Sequence, residues 1–543
     1  MSMRGPKRHL LIPIDPYTLS KGAERVKAAL DKALALSNLT DTVRVVETGT
    51  VGHHEHGVLL IVYPDGVVYG DVTVDNIPQI VREHLQENRV VEGLVVRDVR
   101  IGPFDTRARR VEKQVRLVLR NVGLIDPESI EDYIAHEGYE AAARALTSLS
   151  PEQVLETVKA SGIQGRGGAG FPTGVKWSFA AREKAPQKYI VCNADEGEPG
   201  TFKDRLILEG DPHSVLEGML LAGYAVGATK GYVYIRGEYR MSIARMRKAI
   251  DQARSKGLLG RNILGSGFDF DVEVREGAGA YICGEETALL ESMEGKRGEP
   301  RNKPPFPPQA GLWGMPTVVN NVETLANIPL IVKNGASWYR QFGTPTCPGT
   351  KVFTLVGNIV SPGLIEVPMG ITLREVIFDI GHGIPRGRGF LFAQTGGTTG
   401  GILAAGELDV PMAYDTLRQV GSGLGSGALL VVDDSNCVVD LVQNFVEFFN
   451  HESCGKCTLC REGTGRLLEI LHRLTSGQGD PRDIDLIRRL SVNMKRAAFC
   501  GLGQAAPTPI LGALQRFEEI FREHAESHTC RAGVCRMRAE VAA

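Results

Sequence analysis

The chain has 543 residues, 43% of them hydrophobic and 23% charged, with a formal net charge of −2 and a pI near 6.7. That length suits roughly three or four domains around large cores. The near-neutral balance leaves no electrostatic footprint for nucleic acid or an anionic membrane. The opening segment, MSMRGPKRHLLIPIDPY, carries an apolar run that Asp15 ends too soon for a signal peptide, and no stretch approaches the roughly 18 apolar residues of a membrane span, so direct membrane insertion is not expected. Ten cysteines, none before Cys192 and seven from Cys437 onward, suit thiolates reserved for metal in a reducing cytoplasm rather than a disulfide scaffold.

Taken in chain order, residues 8–14 read as a buried strand and 21–36 as an amphipathic helix. A hairpin of 58–63 and 66–72 around Pro64-Asp65-Gly66 follows, then a helix near 76–88. This order resembles the second half of a thioredoxin-like module. Segment 101–145 is charged and reads as a largely helical connector. From about 151 to 345, strands at 188–192, 231–235 and 270–274 alternate with helices at 212–227 and 241–256, which predicts an α/β layer. Residues 350–433, rich in glycine and β-branched residues, predict a small β-grasp unit with strands near 351–357 and 428–432 and one helix near 372–380. Beyond Asp433 the helical pattern through 440–450, 462–475, 483–498 and 507–524 predicts a compact bundle.

The strongest chemical signal lies in that last region. Cys454-x2-Cys457-x2-Cys460, with Cys500 after 39 intervening residues, suits a cubane iron–sulfur cluster: three thiolates on one loop each reach a different iron and a remote one closes the fourth corner. Structural zinc more often takes two separated Cys-x2-Cys pairs. Lys456 and Arg461 flank these ligands and place positive charge that favours the reduced state.

The central region carries three further motifs. Residues 165–177 (GRGGAGFPTGVKW) combine five glycines, whose backbone amides approach phosphate closely, with the cations Arg166 and Lys176. The motif matches GxGxxG by letter, but it follows a helical stretch at 152–160, so the strand–turn–helix dinucleotide fingerprint is rejected in favour of a phosphate or flavin cradle. Asn193-Ala194-Asp195-Glu196-Gly197-Glu198-Pro199-Gly200 directly follows the strand at 188–192, at a carboxyl edge where α/β folds bind ligands. Residues 277–287 (GAGAYICGEET) put Glu285 and Glu286 in the first turn of a helix, where they complement its dipole whatever else they do. The proline-dense stretch 295–321, with Lys296, Arg297, Arg301, Lys303 and Phe306, reads either as a clamp for an anionic cofactor or as a rigid connector.

Together, GRGGAGFPTGxKW, CNADExEPGT, GAGAYICGEETAL, PTVVNNVET and ESCGKCTxCREG resemble, in order, the flavin- and NADH-binding 51 kDa-type subunit of respiratory complex I and the diaphorase subunits of NAD-linked hydrogenases and formate dehydrogenases. The resemblance covers about 150–520. It implies FMN held by Gly165, Arg166, Gly167, Gly168, Lys176, Asn193, Asp195, Glu196, Gly284, Glu285, Asn320, Asn321 and Thr324. It implies NADH beside Phe171, Phe179, Glu198, Tyr281, Glu286, Lys303 and Phe306, with Glu196 and Glu198 as the catalytic candidates. The cubane ligands fall on Cys454, Cys457, Cys460 and Cys500.

The implied fold is multidomain α/β: a thioredoxin-like domain (1–115), a helical connector (116–150), a Rossmann-like FMN/NADH domain (151–345), a β-grasp domain of the soluble-ligand-binding type (346–433), a helical [4Fe-4S] domain (434–520) and a Cys/His tail (521–543). The implied activity is NADH oxidation or NAD reduction through FMN and the cluster, inside a multisubunit complex that includes a small thioredoxin-like [2Fe-2S] subunit and a larger Fe-S subunit. Such an assembly lies in the cytoplasm, either free or peripheral to a membrane complex.

Two departures matter. The N-terminal extension favours a hydrogenase- or formate-dehydrogenase-type assembly over complex I. It has no cysteine with which to hold a two-iron cluster, and His53, His54 and His56 occupy the loop where cysteines are expected. In the tail, Cys530 and Cys535 with His524 and Cys437 are candidates for a tetrahedral zinc site, with His528 as an alternative to His524 and free buried thiols as the plain reading. The reading of another class is a non-catalytic electron-transfer scaffold that keeps the cluster without flavin.

Overall fold

The computed structural model describes residues 8–97, 109–111 and 113–537, and within them the chain is a mixed α/β protein. Near the N-terminus, β1 (Arg8–Pro13), β2 (Val43–Thr48), β3 (Leu60–Tyr63) and β4 (Val67–Tyr69) form one sheet in the order β2-β1-β3-β4. β2 runs parallel to β1 through the helix Ala23–Leu36, and β3 is antiparallel to β1. The sequence reading lacked β2, although Val43 and Val46 are buried as a strand of this sheet requires. Leu10, Ile12, Leu30, Leu60 and Ile80 close this core, each such burial contributing roughly 1.5–3 kcal/mol.

Of the expected helical connector, 101–108 and 112 lie outside the described residues. β5 (Arg109–Val111) and β6 (Gln114–Arg116) form a hairpin, and helices follow only at Ile130–Ala135 and Glu140–Ser148. The connector is pinned by a buried carboxylate, Glu366, which accepts from the N–H groups of Val118 (3.0 Å) and Leu119 (2.8 Å).

The central sheet is wholly parallel: β7 (Tyr189–Ala194), β8 (Lys230–Arg236), β9 (Asp271–Gly277) and β10 (Thr317–Asn321) in the order β10-β7-β8-β9. Helices Pro212–Val226 and Arg240–Ser255 are the crossovers between its consecutive strands. β10, hidden at the end of the proline-dense stretch, escaped the sequence reading. It pairs with β7 so that Asn321 stands beside Asn193. The chain therefore leaves β7 towards β8 on one side and returns to it as β10 on the other, a switch point where a crevice opens beyond the strand ends.

A third sheet joins β11 (Thr350–Gly357), β12 (Gly363–Pro368), β13 (Phe390–Thr395), β14 (Ile402–Ala404) and β15 (Ala428–Asp433) in the order β12-β11-β15-β13-β14. Helices Val438–Glu452, Thr458–Thr475, Pro481–Ala497 and Thr508–Arg516 then pack Val442, Phe449, Leu467, Leu471, Ile487 and Ile510 into one apolar cluster. That cluster also takes in Ile282, Leu289 and Leu290, so these helices dock beside the carboxyl edge of the central sheet. Among the described residues no helix is long and apolar enough to cross a membrane.

Candidate functional site

The glycine-rich segment is a loop between helices Pro151–Ser161 and Thr173–Arg182, which agrees with rejecting a strand-led fingerprint. Gly165 N–H donates to Phe171 O at 2.9 Å, Arg166 N–H to Thr324 Oγ1 at 2.8 Å, and Tyr414 Oη donates to Gly165 O at 2.7 Å. These bonds hold the loop over the ends of β7 and β10. Beneath it lies a bent cleft of two contiguous cavities, which share Gly167, Asn193, Gly284, Glu285, Asn321 and Gly501.

Gly165, Gly168, Lys176, Asn320 and Thr324 line the larger cavity, and so do Phe171, Phe179, Glu286, Lys303 and Phe306. Phe171 and Phe306 remain 43% and 50% exposed, so flat apolar faces stand open at the mouth, as a stacking ring requires. Lys303 bonds Glu285 (2.8 Å) and Glu286 (3.0 Å), and Lys176 reaches Glu286 at 3.3 Å. Glu285 also caps its helix by accepting from the N–H groups of Thr287 and Ala288. Asp195, Glu196, Glu198 and Tyr281 line the smaller cavity.

Arg166 does not line either cavity. Its guanidinium is fully buried away from the cleft and donates to Tyr339 Oη (3.2 Å) and Pro348 O (2.7 Å), so its charge acts from behind the loop. The cation that does reach the smaller cavity is Lys203, which the sequence reading missed although it stands three residues after Gly200. Lys203 Nζ is ion-paired with Asp204 (2.6 Å) and Glu323 (3.0 Å), and Glu323 also takes Lys351 at 2.6 Å. Burial opposes the charge on Lys203, but Asp204 and Glu323 outweigh it and raise its pKa. Burial prevails at Lys351, whose pKa falls to about 8.

The two carboxylates read as catalytic are committed to protein partners. Glu196 accepts from the N–H groups of Asp204 (2.8 Å) and Arg205 (3.1 Å), so it caps the helix Lys203–Gly210. Glu198 accepts from Thr398 Oγ1 (2.7 Å), Thr399 N–H (2.9 Å) and Tyr281 Oη (2.9 Å), which ties the central sheet to the third one. Asp195 is different: it is buried, and neither carboxylate oxygen has a partner. Desolvation, partly countered by Arg236, pushes its pKa up to about 7. An orphaned carboxyl at a cleft wall, beside the Asn193 and Asn321 amides and the glycine backbone, fits the hydrogen-bonding edge of a flavin.

Cys454, Cys457, Cys460 and Cys500 line a separate, smaller pocket together with Lys456 and Phe499. Cys457 and Cys500 are the N-cap residues of helices Thr458–Thr475 and Gly501–Ala505, and Cys460 lies in the first turn of the former. Helix N-termini favour thiolate. Burial, opposed by the Ser453 hydroxyl and reinforced by the neighbouring thiols, nevertheless pushes Cys460 up to about 11, and a bound metal would supply the positive charge that favours its thiolate. Arg297 donates to Cys454 O (2.7 Å) and Arg461 to Gly455 O (2.6 Å), which brings both cations to the loop that carries the thiols, while Lys456, within that loop, donates to Pro300 O (2.7 Å).

The tail folds back on the same helices. Cys437, His524, Cys530 and Cys535 offer ligand atoms that all lie within 4.8 Å of one another, with Cys437 Sγ 3.3 Å and Cys535 Sγ 3.4 Å from His524 Nε2. His524 Nδ1 lies 2.8 Å from Ile520 O, which leaves Nε2 for a metal. His528 is outside the group. His54, in the N-terminal loop, stacks on Tyr17 at 4.6 Å, and the three loop histidines form no such convergent group.

A nucleotide-sized cleft at a parallel switch point, beside a cage of four thiols, defines an iron–sulfur flavoprotein of electron transfer. Comparison with known proteins agrees. Residues 158–330 match the Nuo51 FMN-binding domain and residues 440–524 the NADH-ubiquinone oxidoreductase-F iron–sulfur binding region. The chain is 57% identical over 424 residues to the NADP-reducing hydrogenase subunit HndC of Solidesulfovibrio fructosivorans, covering 78% of this chain and 86% of the relative. It is 49% identical over 414 residues to an F-type subunit of the NADH-quinone oxidoreductase of Rhizobium meliloti, covering 76% and 98%. A chain of an NAD+-reducing [NiFe]-hydrogenase superposes with a TM-score of 0.68 at 29% identity, covering 97% of this chain and 86% of that one. The protein belongs to the family of the 51 kDa, F-type subunits of complex I and their hydrogenase homologues.

Proposed function

We propose that this protein is the NADH-oxidising or NAD-reducing diaphorase subunit of a multisubunit hydrogenase- or formate-dehydrogenase-type complex, moving electrons between NAD(H), FMN and a [4Fe-4S] cluster. The observation that carries this is the adjacency of the bent cleft to the four-thiol cage. FMN, when bound, exchanges electron pairs with nicotinamide and single electrons with a cluster. The chain's own part is placement. The glycine loop, Asn193, Asn320, Asn321 and Thr324 hold the flavin, and Lys176, Lys303, Glu286 and the phenylalanines at the mouth receive the dinucleotide. Hydride transfer needs no general base, so Glu196 and Glu198 serve as fixed walls that hold the cleft's shape. Asp195 holds a proton at the flavin edge near neutral pH.

The hydrogenase-type assembly is favoured over complex I because the hydrogenase chain superposes on 97% of this one; sequence coverage is nearly the same for both kinds of relative, 78% and 76%. The implied partners are a small thioredoxin-like [2Fe-2S] subunit and a larger Fe-S subunit. In this reading the first sheet is the thioredoxin-like domain, which the βαβ-hairpin order supports. The central sheet is the Rossmann-like FMN/NADH domain, the third sheet the β-grasp domain, and the following helices the cluster bundle, with boundaries near 115, 150, 345, 433 and 520. Cys437, His524, Cys530 and Cys535 hold zinc and fasten the tail to that bundle.

The test is anaerobic purification with any partners, cofactor quantification and titration with NADH and NADPH. About one FMN and about four irons per chain, with the flavin bleached by a reduced nicotinamide, is the expected result. A flavin-free protein whose cluster neither nucleotide reduces establishes the scaffold reading instead.

A further inference from the structure

We propose that Ile282, Leu502 and Gly501 form the wall through which single electrons cross between the flavin cleft and the cluster cage, acting as positioning residues; this rests on the diaphorase reading above. Of the residues around the cage, Ile282 and Leu502 are the two that also line the smaller cavity of the cleft. Both are nearly buried, at 5% and 6% exposure, and they come from elements far apart in sequence. Ile282 sits in the turn Tyr281–Gly284, ahead of the helix that Glu285 caps, and Leu502 follows the cluster ligand Cys500 by two residues. One hydrocarbon layer therefore separates the two spaces.

Gly501 gives that layer a covalent edge, because it is peptide-bonded to Cys500 and lines both parts of the cleft. Its lack of a side chain has no explanation in the protein itself. A Cβ built there meets no atom within 4 Å, whereas at Gly503, in the same helix, it meets Ala498 Cβ at 2.8 Å and Cys460 Cβ at 3.1 Å. Gly503 is glycine for packing, and Gly501 is glycine because the space beside it belongs to the cleft. Neither Ile282 nor Leu502 can carry a proton. Each crossing thus oxidises the cleft side by one electron and reduces the cage by one, and the accompanying proton stays on the cleft side, where Asp195 lies. The second electron crosses once the cluster has passed the first to an iron–sulfur partner.

The experiment uses the purified complex, mixed rapidly with NADH, following flavin bleaching optically and cluster reduction by freeze-quench EPR. A mediator titration with dithionite gives the cluster's potential independently of NADH. In Leu502→Ala and Ile282→Ala, bleaching keeps its rate while cluster reduction lags behind it, because a gap replaces packed side-chain atoms in the wall. The cluster potential rises as water reaches it. Leu502→Met restores both, and Gly501→Val lowers FMN content while leaving iron intact. Bleaching and cluster reduction that slow together, no lag in either alanine variant, or loss of iron from both variants would overturn the proposal. Failure of NADH to bleach the unaltered protein would instead overturn the diaphorase reading.

Discussion

The helical region holds two four-ligand sites that composition alone does not distinguish. In the cage, four thiols line one pocket, two of them on the N-cap residues of helices, with a cationic loop beside them and the cleft behind one hydrocarbon layer. In the tail, three thiols and an imidazole converge within 4.8 Å, packed on the apolar helices and away from the walls of the cleft. The pocket among the cage thiols is the informative difference. Thiols spread around a void suit a polynuclear centre whose irons and sulfides fill it, whereas atoms that nearly touch suit one tetrahedral ion. On the proposed reading position follows use: the cage sits where electrons arrive, and the convergent site fastens a chain segment.

Replacing Cys500 should break the comparison most severely. Cys500→Ser removes the ligand next to the cleft and should cost most of the roughly four irons per chain and the cluster's EPR signal. NADH should still bleach the flavin and the zinc content should stay unchanged; joint loss of zinc and iron would show that the two sites are not separate. His524→Ala should do the converse. It releases zinc, keeps the iron, and lowers stability by several kcal/mol in chemical denaturation, because binding energy at a structural site is folding energy. Equal stability with and without a chelator would remove the fastening role.

A third prediction compares the cage with the cleft it adjoins. Asp195 is raised from the ordinary aspartate range to about 7, so the folded protein prefers its protonated form. The stabilisation is present in full below about pH 4 and is lost as pH rises through about 7, a change of a few kcal/mol in the flavin-free protein. Asp195→Asn should flatten that part of the stability profile; an unchanged slope would assign it to other groups. The smallest effect belongs to the cations of the ligand loop. Lys456→Ala should lower the cluster's midpoint potential by less than about 59 mV, a tenfold change in a one-electron equilibrium, while zinc affinity is unaffected.

Legibility followed the length of chain over which each signal is written. The cage spacing, the strand at 188–192 and the helices at 212–227 and 241–256 are local patterns and could be read directly. β2 and β10 are short strands beside turn-rich segments, completed only by pairing with β1 and β7. The cleft residues read from motifs do line one cleft, except Arg166, whose letter suggested a ligand but whose side chain Tyr339 and Pro348 draw inward.

The sequence by itself determined the chemistry on offer: thiolates at cluster spacing, backbone amides free of side chains, carboxylates at a strand end, and a second set of soft ligands near the tail. Only the tertiary structure decided which groups share a wall. Thr399 and Ser426 reach the cleft from the third sheet, Glu198 is claimed by Thr398 and Thr399 some 200 positions away, and Gly501 and Leu502 bring the cluster's ligand segment to the cleft. The physical reason is that side-chain type and local spacing are written in the chain, whereas adjacency across hundreds of residues depends on how apolar faces pack. That packing is encoded collectively, and no single segment reveals it.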